Sequence, residues 1–241
     1  MNTVRSGDTG YTIVETMIFL AVSGGLFLTA MLVINGQQRK TEFATSVRDF
    51  DSKLQSVIGN VSSGYYNNPG AITCTEDPGP PRAPDITVGA SIQGQNHDCT
   101  FVGQYVDLPA PFDKFTITSY AGLRLNSAGK EAESLAEANP QPITQTAEDY
   151  NLLRGVTASM KIIGGSGIDT LAITTTFNQH DSSGILGSGS SRVELHAITG
   201  AGVDTVNPPN GVQICLDGGD QVGIIVLNTG STNVTIGSSC P

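Results

Sequence analysis

The chain lacks the motifs that carry the commonest hydrolytic and nucleotide chemistries. It has no H-E-x-x-H pair, no G-x-S-x-G elbow and no G-x-x-x-x-G-K-[ST] loop. Its three histidines, His97, His180 and His196, are scattered. His97 and His180 each precede an Asp, but adjacency in sequence does not orient a base, and both read as solvated loop residues. None of the four cysteines forms a C-x-x-C pair, which argues against a zinc site. Asp217 and Asp220 in CLDGGDQ lack EF-hand spacing, so that stretch reads as a turn. The stretch GGSG at Gly164–Gly167 lies between strand signals and reads as a hairpin turn, not a phosphate cradle. No metal, no cofactor and no catalytic site is expected.

An excess of basic charge is also missing. Lys and Arg number 12 against 22 Asp and Glu, for a net charge of -10. The imbalance is confined to residues 61–241, which hold seven basic and seventeen acidic side chains, while residues 1–60 hold five of each. An acidic domain repels phosphate backbones, so direct nucleic-acid binding by this region is not expected.

From Thr16 to Gln38 charge is absent altogether. Its heart is MIFLAVSGGLFLTAMLVI, apolar on every face, unlike a helix that buries one side in a soluble core. The run of 23 residues would reach about 35 Å as a helix, enough to cross a bilayer core of about 30 Å. Gly24 and Gly25 weaken that helix locally, by roughly 1 kcal/mol each. Beyond the run, apolar residues recur at Phe43, Val47, Phe50, Leu54, Val57 or Ile58, and Val61, in steps of three and four. Charged residues occupy the other faces. One helix is therefore expected from near Tyr11 to about Ser63, stopped at Gly64. Its second half needs a domain to lie against.

That domain, residues 64–241, reads as antiparallel sheet. Short β-branched or apolar runs (ITVGASI, TFVGQYVDL, DKFTITSY, LLRGVTASMKII, DTLAITTTF, SRVELHAI, GVQICL, QVGIIVLN, NVTIG) are separated by Gly, Pro, Asn and Asp clusters. Residues 131–149 read as a polar loop with one helical turn, and 180–191 as a flexible loop. Cys74, Cys99, Cys215 and Cys240 all lie here. An even count in an exported domain favours disulfides. Four cysteines allow three pairings. The sequential one, Cys74–Cys99 and Cys215–Cys240, closes two loops of similar length, each contributing on the order of 3 kcal/mol in the chain-entropy model.

The N-terminus is MNTVRSGDTG followed by YTIVE. A secretory signal has its apolar core before the cleavage site, whereas here the core begins after Gly10. Glu15 stands at the edge of the uncharged run, where an ionisable residue is a functional hypothesis by default. Cleavage after Gly10 would create an ammonium on Tyr11. In packed parallel helices the Glu15 carboxylate of one subunit could meet that ammonium of a neighbour, both away from water, where an ion pair is stronger.

GYTIVE, with the span and amphipathic helix that follow, resembles the prepilin-type N-terminus of type IV pilins and pseudopilins. The resemblance covers about residues 7–63. It implies a leader at 1–10, cleavage by a prepilin peptidase after Gly10, N-methylation of Tyr11, and an assembly role for Glu15. The family more often has Phe or Met in place of Tyr11, and often a Pro in the membrane segment, where this chain has Gly24-Gly25. The implied fold is α+β, a pilin fold with a long N-terminal α-helix packed on an antiparallel β-sheet head. The implied partners are other pilin subunits, the peptidase and the inner membrane before assembly. The implied location is a single-pass membrane protein with a cytoplasmic N-terminus, then an extracellular or periplasmic filament. Arg39 and Lys40 follow the span on the side the family places outside, so the orientation rests on the disulfide-bonded head and not on the positive-inside rule. A head of about 180 residues tilts the reading toward a minor or tip subunit. The rival is a membrane-anchored surface binding module or adhesin that never polymerises.

Overall fold

The computed structural model describes residues 12–65, 72–77, 79, 82–88, 98–152, 155–175, 193–198, 205–206, 211–228, 231–237 and 239–240. Gly10, Tyr11, His97, His180 and the 180–191 stretch lie outside them. The chain divides into two compact units, residues 1–42 and 43–241. Helix α1, Ile13–Ser63, contributes to both.

The first unit is the proximal part of α1. Its large apolar side chains, from Ile13 to Ile34, are between 50% and 77% exposed. The span expected from the uncharged run is present as a helix long and apolar enough to cross a membrane.

In the second unit the distal part of α1 is amphipathic. Phe43, Val47, Phe50, Leu54, Val57 and Val61 are buried, and Ile58 is partly so. These are the positions that steps of three and four place on one face. Gly64 follows with φ 66°, the left-handed conformation that ends a helix and that glycine adopts at no steric cost.

The strands are β1 (Ile72–Asp77), β2 (Ala83–Val88), β3 (Cys99–Asp107), β4 (Lys114–Leu123), β5 (Gln141–Pro142), β6 (Glu148–Asn151), β7 (Thr157–Ile162), β8 (Gly167–Ile168), β9 (Thr170–Thr175), β10 (Val193–Ile198), β11 (Thr205–Val206), β12 (Val212–Asp217), β13 (Val222–Asn228) and β14 (Ser231–Gly237). A short helix α2, Leu135–Ala138, and a 3-10 turn, Thr144–Thr146, lie between β4 and β6. Every strand pairing among the described residues is antiparallel. β1 and β2 form a two-stranded ribbon. One sheet runs β11-β10-β9-β3-β4-β5, with β6 also on β4, and a five-stranded sheet runs β14-β13-β12-β7-β8. The architecture is thus α+β, a long helix packed with antiparallel sheets.

One core joins these layers. The buried face of α1 shares this core with Val106, Phe115 and Ile117 from β3 and β4, Leu171, Ile173 and Leu195 from β9 and β10, and Ile214, Leu216, Ile225 and Leu227 from β12 and β13. Alternation along β9 puts Leu171 and Ile173 in this core and Ala172 and Thr174 on the opposite face. Phe50 packs edge-on against Phe115 at 4.4 Å, and Phe115 stacks on Tyr150 at 5.1 Å. Lys53 places its Nζ 4.4 Å from the centre of the Tyr150 ring, a cation–π contact.

Two disulfides tie down the periphery. Cys74–Cys99 joins the β1-β2 ribbon to β3, and Cys215–Cys240 joins the segment after β14 to β12, with Cα separations of 6.0 and 6.1 Å. The pairing is the sequential one of the three. GGSG forms the turn from β7 to β8, with Gly164 at φ 79° and Ile162 N–H bonded to the Ser166 carbonyl at 3.0 Å. CLDGGDQ forms the turn from β12 to β13, where Asp217 Oδ1 accepts from Gly219 N–H at 2.8 Å.

Candidate assembly segment

Of the N-terminal residues that the sequence singles out, Glu15 lies in the first turn of α1. Thr12 precedes the helix, and its carbonyl accepts from Glu15 N–H at 3.0 Å and Thr16 N–H at 3.2 Å. Its Oγ1 also accepts from Glu15 N–H, at 3.3 Å. Thr12 is therefore an N-cap, and it satisfies one of the donors that a helix start leaves open. Glu15 is in the first turn, where the helix dipole favours a negative charge. It is exposed, and its carboxylate makes no hydrogen bond or ion pair with any described residue. Of the sequence-predicted site residues here, Glu15 is placed; Gly10 and Tyr11 lie outside the described residues.

The Thr12 cap was missed by reasoning on charge alone. Its signal was present, because Thr12-Ile13-Val14-Glu15 is a T-x-x-E capping-box sequence directly before an apolar run.

Downstream, the polar side chains of the apolar run are turned inward on the backbone. Thr16 Oγ1 donates to the Ile13 carbonyl at 2.8 Å, Ser23 Oγ to Leu20 at 3.2 Å, and Thr29 Oγ1 to Leu26 at 2.9 Å. A hydroxyl that bonds a carbonyl one turn back needs no water, so these residues do not spoil an apolar surface. The result is a helical segment with one carboxylate at its start and no further charge until Arg39 and Lys40.

A second group of polar side chains lies on the face of β9, β10, β3 and β4 away from α1. Tyr105 and Tyr120 stack with ring centres 3.6 Å apart. Burial pushes the Tyr105 hydroxyl well above its ordinary range and that of Tyr120 up to about 12. Burial also raises the Asp107 carboxyl, opposed by a hydrogen bond from Thr170. His196 is 9% exposed, with Nε2 3.5 Å from Glu194 Oε2. Desolvation lowers its pKa, and the neighbouring Glu194 carboxylate opposes that shift in part. Among the described residues no three His, Cys, Asp or Glu side chains converge on a point that could hold a metal ion.

Comparisons of the chain with family models, with curated proteins and with solved structures found no match.

Proposed function

We propose that this chain is a structural subunit of a filament of the type IV pilus or pseudopilus kind, and not an enzyme. The observation that carries the reading is the pattern along α1. A charge-free, exposed apolar segment opens on a single carboxylate, Glu15, which has no partner among the described residues, and the same helix ends as a face buried in a disulfide-bonded β head.

The proposed sequence of events has three steps. The precursor sits in the inner membrane through the proximal part of α1, with its N-terminus cytoplasmic and its head outside. A prepilin peptidase cuts after Gly10, and Tyr11 becomes the methylated N-terminus. Subunits then leave the membrane by packing their apolar segments together, and each Glu15 carboxylate meets the ammonium of a neighbouring Tyr11. The gain from that pair is largest where water is excluded, so it favours assembly over the isolated subunit. The head faces water and supplies whatever the filament does, in adhesion, motility, DNA uptake or secretion. The size of the head supports a minor or tip position over a major one.

Mass spectrometry of the mature protein tests this. The expected N-terminus is methylated Tyr11. A mature chain that still begins at Met1, or that begins beyond Ile34, would overturn the reading.

A further inference from the structure

Unpaired N–H and C=O groups along a sheet edge template another strand, and proteins close such edges with short strands, charge or proline. The other strands that end a sheet here are guarded in these ways. β5, β8 and β11 have two residues each. β6 carries Glu148 and Asp149. In the ribbon, β1 carries Glu76 and Asp77, and β2 carries Pro84 and Asp85. β14 has none of these guards. It is seven residues long, STNVTIG, without charge or proline, and its register with β13 has no bulge. Ser231, Asn233, Thr235, Ile236 and Gly237 are exposed. Its outer edge has no strand partner among the described residues. The Cys215–Cys240 disulfide ties the segment just past β14 back to β12, so the edge is held in place.

We propose that β14 is a homotypic docking edge: it pairs antiparallel with β14 of a second copy, so that the five-stranded sheet of one head continues into the other. Two features select a second copy as the occupant. The first is charge. Residues 61–241 hold seven basic and seventeen acidic side chains, so two heads repel each other over most of their surface. From Gln221 to Pro241 there is no charge at all, and along β14 two copies approach without opposing like charges. The second is self-complementarity. A two-fold axis at Val234 sets Val234 opposite its own copy, Thr232 opposite Ile236, Asn233 opposite Thr235 and Ser231 opposite Gly237. Opposite residues of such a pair share a face. Val234 packs on the core, and Thr232 Oγ1 accepts from Gln55 Nε2 at 3.1 Å, so the even-numbered residues lie toward α1. That face then pairs β-branched with β-branched side chains, and the other pairs an amide with a hydroxyl, both favourable across strands. A contact about a two-fold axis closes with two copies. It is therefore separate from the packing of α1 segments proposed above and does not depend on it. A seven-residue edge is small beside a standard interface of about 1,600 Å², so the dimer is expected to be weak in dilute solution.

Sedimentation equilibrium of the full-length chain in detergent micelles, over a rising concentration series, tests this. Wild type is expected to form a dimer. Asn233→Lys combined with Thr235→Lys sets like charges opposite each other and is expected to weaken the dimer at least about tenfold. Both side chains are exposed, so an unchanged Tm is expected and shows the head intact. Asn233→Lys combined with Thr235→Glu sets opposite charges across the same pair, and is expected to bring the dissociation constant back to within about threefold of wild type. Asn151→Lys, on the β6 edge, is expected to change nothing. Glu15→Ala is also expected to leave the dimer unchanged, which separates it from association through α1. A wild type that stays monomeric throughout the series, a dimer indifferent to the two lysine substitutions, or no recovery with the opposite charges would each overturn the proposal. So would loss of the dimer in Glu15→Ala, which would assign the association to α1. A mature chain that still begins at Met1 would remove the filament reading and leave this one standing.

Discussion

At the scale of single residues, His196 shows what burial does to a titratable side chain. It lies on β10, on the sheet face away from α1, with its Nε2 3.5 Å from Glu194 Oε2. Desolvation holds its folded pKa below the ordinary 6.5, and Glu194 recovers only part of the shift. The sign follows from proton counting. Below the unfolded pKa the unfolded chain binds a proton at this position that the folded chain resists. Stability is therefore fully present above about pH 6.5 and declines as the pH falls from there toward the folded pKa. Asp107 works in the opposite sense, because burial raises its pKa and the folded state accepts its proton more readily. That effect belongs to the carboxylate range at lower pH. Thermal melts of wild type and His196→Gln between about pH 7.5 and pH 5.5 separate the two. The wild type is expected to lose Tm with acidification and the variant to lose less. Parallel profiles would show that His196 does not titrate as its burial requires.

At the scale of elements, the contact of α1 with β13 depends on a missing methyl group. A Cβ on Gly223 would lie 2.5 Å from Val47 Cγ2, and one on Gly218 would lie 2.5 Å from the Phe43 ring. Val47 is fully buried and β-branched, so it has no free rotamer to move into. Gly223→Ala is expected to destabilise the head by about 1–3 kcal/mol, the usual cost of overpacking. Combining it with Val47→Ala is expected to cost less than the sum of the two single changes, because the second substitution removes what the first collides with. Strict additivity in chemical denaturation would refute this contact. The helix side of the interface was legible in the sequence, since the steps from Phe43 to Val61 and the stop at Gly64 both appear as read. The glycine side was not, because nothing local distinguishes a strand glycine that admits a helix from one that marks a turn. The strands rich in Val, Ile and Thr were legible for the same reason as the helix, that side-chain pattern reports burial. β1, Ile72–Asp77, was not read as a strand, and neither were the four shorter ones, β5, β6, β8 and β11. The shorter ones have two to four residues each, and β6, Glu148–Asn151, is polar. It is a strand because its backbone pairs with β4, because Thr116 Oγ1 donates to Asp149 Oδ1 at 2.6 Å, and because Tyr150 packs on Phe115. At the candidate site the sequence marked Glu15 by its charge. The Thr12 cap went unread because a hydroxyl carries no such contrast with its surroundings.

At the scale of the whole molecule, the two units make opposite demands on solvent, and the boundary between them at residues 42 and 43 says where the chain can be divided. The distal part of α1 belongs to the head energetically. Phe43, Val47, Phe50, Leu54, Val57 and Val61 are all at most 5% exposed. Burying such side chains is worth about 1.5–3 kcal/mol each. Together that is of the order of 10 kcal/mol, as large as the whole stability of a typical domain, about 5–15 kcal/mol. The sheets are therefore expected to need that face to stay folded, even with both disulfides in place. The proximal part contributes nothing comparable, since its apolar side chains are exposed. A fragment that begins at Gln37 is therefore expected to be water-soluble, to form both disulfides and to melt cooperatively. A fragment that begins at Gly64 retains every strand but is expected to aggregate or to lack a cooperative transition. Circular dichroism melts and size-exclusion chromatography of the two fragments, made under oxidising conditions, give the readout. If the fragment from Gly64 melted as cooperatively as the one from Gln37, the distal helix would be an accessory to the head and not a wall of its core.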